Sequence, residues 1–283
     1  MIGIHVIKRL VVSAIAAAAI GISGIASAVP TQIGFAIDGS GSVNANDFDL
    51  QIEGLTAAFA GLPVDGSVEV TVVQFSSSAQ VEAGPILIDS EAARDQLIAA
   101  VADTNQLNGG TSIESAINLL TSELTGSDNS GGDSVINVST DGDNNSGIGV
   151  AVAAAQDAKD AGIDALTAEG IGFFLDINDL SQIVFGPSTN PNDGSAEILA
   201  ENAAPDNPLT AGVSPWVVPV TDFTAFADVI DAKVQAIVLP PPPVDVPEPG
   251  AIALLGIGIL ALVLVQLHSR RRVNRDMNTL AFA

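Results

Sequence analysis

The apolar positions of this chain switch between two periods. Gln32–Ile37 is a short apolar run that ends in Asp38 and a Gly/Ser turn, the pattern of a strand buried on both faces. Phe48, Ile52, Leu55, Phe59 and Leu62 then recur at steps of three and four, which predicts a helix with Asn46 as its N-cap. Val68–Phe75 alternates and is rich in valine, so it reads as a second strand, with Gln80–Ile88 as its partner. Ile113, Ala116, Ile117, Leu120 and Leu124 stripe another helix, preceded by Gly109-Gly110. A polar loop, Gly126–Asp133, leads to the strand Ser134–Ser139, followed by helix-like Ile148–Ala161 and strand-like Ile163–Gly170. Trp216–Val220 reads as a last strand, and Phe223, Phe226, Ile230, Val234 and Ile237 stripe a last helix. The loops Gly186–Gly194 and Pro205–Pro215, rich in Pro, Asn and Asp, are expected at the surface. Strands alternating with helices predict an α/β domain: a doubly wound, mostly parallel sheet covered on both faces.

Two further apolar runs do not fit that alternation. Lys8 and Arg9 precede the run Leu10–Ile20, and Ala26-Ser27-Ala28 supplies the small residues of a cleavage site. Residues 1–28 therefore read as a secretory signal cut after Ala28. The second run, Gly250–Val265, continues through Gln266 and Leu267 to Arg270-Arg271-Arg272 and Arg275. As a helix, residues 250–267 would extend about 27 Å, close to the thickness of a bilayer's hydrocarbon core. This predicts a transmembrane helix whose arginines keep the tail 268–283 in the cytoplasm. Residues 240–249, opening with Pro240-Pro241-Pro242-Pro243, form an extended spacer. The folded part is then 29–239, a single domain with no internal repeat.

Charge narrows the partners. Residues 29–249 carry 32 acidic and 3 basic side chains (Arg94, Lys159 and Lys233), so phosphate backbones and anionic lipid are repelled and nucleic-acid binding is excluded. The chain has no cysteine, and its two histidines, His5 and His268, lie outside the exported part. That part lacks the commonest general base, the thiol nucleophile and the usual zinc and copper ligands, which argues against an enzyme.

Oxygen chemistry remains. Asp38-Gly39-Ser40-Gly41-Ser42 follows the first strand, Thr111 opens a later helix and Asp141 ends a later strand, so all reach the carboxyl edge of a parallel sheet. Hydroxyls and carboxylates so gathered suit a hard cation such as magnesium, which takes oxygen ligands and keeps waters. Each piece alone has a structural explanation: a flexible turn at Asp38–Ser42, a capping box at Thr111-Ser112-Ile113-Glu114, and a turn at Asp141-Gly142. Asp141, Asp143 and Asn145 also imitate the start of an EF-hand loop, but Ser146 stands at its sixth position and Val152 at its twelfth. A subtilisin-like reading of Gly110-Thr111-Ser112 fails because the exported part has no histidine base.

Ile37-Asp38-Gly39-Ser40-Gly41-Ser42, Gly110-Thr111 and Ser139-Thr140-Asp141-Gly142 resemble the three parts of the metal-ion-dependent adhesion site of von Willebrand factor type A domains, and the order of elements over 31–238 is similar. Asp141–Gly147 further resembles a bacterial branch of that superfamily. The resemblance implies that Ser40, Ser42 and Thr111 offer hydroxyls to Mg²⁺ (or Mn²⁺ or Ca²⁺), with Asp38 and Asp141 acting directly or through water. It also implies a carboxylate-bearing protein or polysaccharide partner that completes the ion's shell. Val246-Pro247-Glu248-Pro249, the apolar run and the arginines are similar to a PEP-CTERM sorting signal of Gram-negative surface proteins, which an exosortase processes. Val273–Ala283 continues past the arginines where such tails stop, so an uncut membrane anchor stays open. The expectation is an exported, non-catalytic domain, membrane-anchored and then displayed at the cell surface or in the extracellular matrix, that binds a partner through its ion. The alternative is a structural envelope or matrix protein whose ion only stabilises the fold.

Overall fold

A computed structural model describes residues 29–173 and 175–238. The signal, spacer, transmembrane and tail expectations, on 1–28 and 239–283, lie outside the described residues. Among those described, no helix is long and apolar enough to cross a membrane.

The strands are β1 (Thr31–Asp38), β2 (Val68–Phe75), β3 (Ala79–Leu87), β4 (Ser134–Thr140), β5 (Ala165–Ile171), β6 (Glu197–Ile198) and β7 (Trp216–Val220). They form one sheet in the order β3-β2-β1-β4-β5-β7-β6. Every pairing is parallel except β2 with β3. The helices are α1 (Ala45–Phe59), α2 (Glu91–Ala102), α3 (Ile113–Gly126), α4 (Ile148–Asp160), α5 (Ile177–Leu180) and α6 (Phe223–Val238). Odd-numbered residues of β1, including Ile33, Phe35 and Ile37, pack with α1, α2 and α6. Ala36 of β1 and Ile136 and Val138 of β4 pack with α3, α4 and α5 on the other face. The doubly wound α/β expectation therefore holds for the domain.

Burial on both faces explains why the central strands are so apolar. β1 and β4 are buried almost throughout, and Phe35 meets Phe59 of α1 edge to face at 5.1 Å between centroids. α1 and α6 approach closely because Gly54 has no side chain: a Cβ there would lie 3.0 Å from the Cα of Ala227. Alternation in Val68–Phe75 would ordinarily mark one solvent face, yet all eight residues are buried. Its polar members find partners inside: Glu69 accepts from Gln32, Ser127 and Asn129.

A second interior polar group spans β4, β5 and α6. Glu169 pairs with Lys233 at 2.9 Å, both fully buried, and accepts from Ser139 at 2.9 Å. The Lys233 ammonium also lies 4.8 Å from the centroid of the Trp216 ring. Burial lowers the Lys233 pKa to about 8, with the Glu169 charge pulling the other way.

The edges of the sheet differ from its centre. β3 is largely accessible, carries Pro85, and breaks register with β2 between Val70 and Val72 and again between Val72 and Val73. β6, at the opposite edge, is two residues long.

Several local expectations are corrected. α1 begins two residues earlier than its polar flank suggests, and Asn44 rather than Asn46 caps it, accepting from the Asp47 amide. Helix α2 was not expected, because it buries only Leu97 and Val101 and so shows no full stripe. The capping box at Thr111–Glu114 does not form: Ser112 makes no side-chain cap. The loops 186–194 and 205–215 reach the surface as expected but are anchored by buried Pro191, Pro205, Pro208 and Pro215.

Candidate metal centre

In the order β3-β2-β1-β4, the chain leaves β1 toward one side and β4 extends the sheet on the other. That reversal opens a crevice at the carboxyl ends of β1 and β4, where open α/β sheets bind ligands. Asp38 is the last residue of β1, and Thr140 the last of β4.

Asp38 is wholly buried and tied down on every side. Its Oδ1 accepts from the Ser40 amide at 2.8 Å, and its Oδ2 accepts from the Thr140 hydroxyl at 2.6 Å. Gln51 of α1 brackets its backbone, donating to the Asp38 carbonyl at 2.9 Å and accepting from the Asp38 amide at 3.3 Å. The next residue must be glycine, because a Cβ on Gly39 would run into the side chain of Gln74. Gln74 in turn accepts from the Leu107 amide, and Gln106 donates to the carbonyls of Ser40 and Val43. These bonds fix the loop 38–43 against the segment leading to Thr111.

From Asp38 the hydroxyls lead outward. Ser40 Oγ lies 2.9 Å from Ser42 Oγ, and Ser42 Oγ donates to Asp141 Oδ1 at 2.7 Å. Thr111 is 6 % exposed, and its Oγ1 lies 3.5 Å from where a Cβ on Gly142 would stand, with Ser42 Oγ 3.4 Å from the same point. All five residues singled out from the sequence thus converge on one patch, graded from buried Asp38 and Ser40 to half-buried Asp141 and exposed Ser42.

The residues that hold this patch together were not foreseen as a group. Thr140 bonds Asp38 and accepts from the Gly142 amide, closing the turn after β4. Asn145 accepts from the Thr111 amide at 2.6 Å, and Asn144, itself buried, accepts from the Ile113 amide at 2.9 Å. The loop after β4 therefore caps α3 from 31 residues away, satisfying amides that helix starts leave unpaired. Thr140 stood in the sequence only inside the Ser139–Gly142 motif and Asn144 and Asn145 only inside Asp141–Gly147, with no sign of the bonds they make.

The electrostatics ask for a cation. Burial raises the Asp38 pKa to about 6, against the pull of its bonds from Ser40 and Thr140, and the nearby Asp141 charge pushes it further up. Burial also raises Asp141, with Asp47 adding repulsion. The basic residues of the described chain are engaged elsewhere: Arg94 on the Leu62 carbonyl, Lys159 on the carbonyls of Gly186 and Pro187, Lys233 on Glu169. Two carboxylates and three hydroxyls, with no nitrogen or sulfur donor, form the set a hard divalent ion takes.

An α/β domain with an oxygen-rich patch at its switch point is the class these features define. The chain belongs to the von Willebrand factor type A domain family, whose model matches residues 32–200, and it carries a PEP-CTERM protein-sorting motif at 245–272. Such motifs mark exported proteins of Gram-negative bacteria.

Solved structures share the fold. Proximal thread matrix protein 1 from the mussel byssus superposes with a TM-score of 0.55 at 16 % identity, covering 74 % of this chain and 48 % of that one. The same mussel protein with a zinc-occupied metal-ion-dependent adhesion site matches with a TM-score of 0.50 at 17 % identity, over 71 % of this chain and 45 % of that one. The pilus adhesin SpaC from Lactobacillus rhamnosus GG gives 0.53 at 13 % identity, over 74 % of this chain and 30 % of that one. A conserved hypothetical protein, BatB from Bacteroides thetaiotaomicron, gives 0.52 at 18 % identity, over 73 % of this chain and 98 % of that one. The chain thus spans about half the length of the byssus protein and under a third of the adhesin. No curated protein sequence matches it.

Proposed function

We propose that this is a non-catalytic binding domain that takes a divalent cation on Asp38, Ser40, Ser42, Thr111 and Asp141, and through it a carboxylate-bearing protein or polysaccharide outside the cell. The observation that carries the reading is the buried Asp38, with no basic side chain beside it among the described residues, at the head of a graded oxygen patch that ends at the surface. Ser40, Ser42 and Thr111 would supply hydroxyl oxygens, and Asp38 and Asp141 would hold the ion directly or through water. Magnesium or manganese suits the set best, and calcium is accommodated by the same donors. A bound ion would supply an electrophilic centre for a partner's oxygen; the chain's part is to keep the donors preorganised. The zinc-occupied site of the byssus protein and the adhesin among the similar structures support this reading. The tail would pass through the membrane and be processed by an exosortase beside Pro247-Glu248-Pro249, and mass spectrometry of the mature C-terminus distinguishes that from an uncut anchor.

Calorimetric titration of Mg²⁺ and Mn²⁺ into the chain and its Asp38→Ala variant tests the ion: saturable binding lost in the variant is expected, and equal heats from both overturn the assignment. A second reading, an ion that only braces the fold, is favoured by the complete burial of Asp38 and Ser40 between β1 and β4. Pulldown from cell-surface extract with and without EDTA, with folding followed by circular dichroism, separates them. Partners released by EDTA from a domain that stays folded support adhesion.

A further inference from the structure

We propose that the cleft beside the metal centre is a second recognition subsite, built for the side chain of a lysine or arginine on the same partner whose carboxylate meets the ion. The inference rests on the binding reading above and adds the partner's second feature.

The cleft encloses about 240 Å³ and shares the loop after β4 with the metal patch. That is below the roughly 300–1,000 Å³ of sites for whole small molecules and suits one long side chain. Its walls are Ile113, Ile148, Leu175 and Leu180, and its charged residues are Asp143 and Asp179. Asp143 accepts from the Asp176 amide and Asp179 from Gln182, each through Oδ1, so each keeps Oδ2 without a partner among the described residues. Apolar walls with carboxylates match a side chain that lays a hydrocarbon stem on apolar surface and carries a cation at its end. A second metal ion fits less well, because the aliphatic walls would contribute no ligand to it. No basic residue of the described chain fills the cleft, since all three are bound elsewhere. Phe173, 84 % exposed and two residues before Leu175, adds an aromatic at the same end of the sheet.

Spacing sets the register. Asp143 is two residues from Asp141 and Ile113 two from Thr111, so at most about 7 Å of backbone separates each cleft residue from its neighbour in the metal patch. A carboxylate and a cation one intervening residue apart on an extended ligand reach both. The pairing also answers an electrostatic difficulty, because a purely anionic ligand must approach a strongly acidic domain whereas one that carries a cation is drawn to it.

The test uses the full chain in mild detergent and fluorescein-labelled heptapeptides of sequence Gly-Gly-Asp-Gly-Lys-Gly-Gly, with norleucine replacing lysine or Asn replacing Asp as controls, followed by fluorescence polarisation in Mg²⁺ and in EDTA. The lysine peptide is expected to bind at least tenfold more tightly than the norleucine peptide. That gap should shrink to within twofold in Asp143→Asn/Asp179→Asn, which retains both Oδ1 acceptors and the Mg²⁺ affinity of the unaltered chain. Equal binding of the two peptides, including no binding of either, overturns the subsite, as does a gap that survives in the double variant. A lysine preference that persists in EDTA and with the Asn peptide keeps the subsite and removes the ion from recognition, so the two readings fail separately.

Discussion

Asp38 on β1 and Glu169 on β5, with β4 between them, are both fully buried acids of one sheet, and the fold treats them oppositely. Glu169 has a cation of its own, Lys233, and a hydroxyl from Ser139. Asp38 accepts from an amide and a hydroxyl and has no basic side chain beside it among the described residues, and burial raises its pKa to about 6. An interior carboxylate is tolerable when paired within the chain and costly when it is not. The difference teaches that the chain, with three basic residues in its described part, spends one where the interior must be permanently closed. It leaves the switch-point acid without a basic partner among the described residues.

The sharpest way to break this contrast is to make Glu169 resemble Asp38. Lys233→Met removes the internal cation, and we expect a loss of ~3–5 kcal/mol, or roughly 6–20 °C in melting temperature, by urea and thermal unfolding. Adding Glu169→Gln should restore most of it; an unrecovered double variant would mean that packing of the Lys233 stem, rather than charge, is what matters.

Making Asp38 neutral is the complementary change and the next largest. Its folded pKa lies above the ordinary 3.8, so folding favours the protonated acid. That contribution is complete below about pH 4 and is lost as pH rises through about 6, a difference on the order of 3 kcal/mol. In EDTA, Asp38→Asn should therefore be more stable than the unaltered chain at pH 7, with the advantage fading toward pH 4. Mg²⁺ competes with the proton, so it should raise the melting temperature of the unaltered chain more at pH 7 than at pH 5 and leave the variant unmoved. Indifference of the unaltered chain to Mg²⁺ at pH 7 would place Asp38 outside the ion's shell.

The smallest expected effect concerns the scaffold that keeps the open acid open. Asn144→Ala removes a cap on α3 and should cost ~1 kcal/mol in unfolding experiments. It should also weaken Mg²⁺ binding severalfold, because Thr111 precedes the helix start that Asn144 holds. Loss of stability with unchanged Mg²⁺ affinity would show that α3 is fixed independently of the ion.

The convergence of Asp38, Ser40, Ser42, Thr111 and Asp141 was legible in the sequence because they sit at strand ends and a helix start, where the hydrophobic period itself changes. Its supports were not, since Gln51, Asn144 and Asn145 act on residues 13, 31 and 34 positions away and carry no local periodicity. The strands other than the two-residue β6, and the long striped helices, were legible for the same reason. α2 was hidden because it presents two buried residues rather than a stripe, and β2 looked half-exposed because its interior polar residues imitate a solvent face. The Glu169–Lys233 pair was invisible too: across 64 residues, two charges in an acidic chain look like surface.

The margins of the sheet bear on life at high local concentration. Unpaired strand edges are templates on which another copy can add. Here one margin is interrupted by Pro85 and by two shifts of register, and the other is only two residues long. Neither offers a straight ladder for a neighbour to continue. The domain can be packed densely without growing into fibres, and contacts between copies are left to side-chain surfaces.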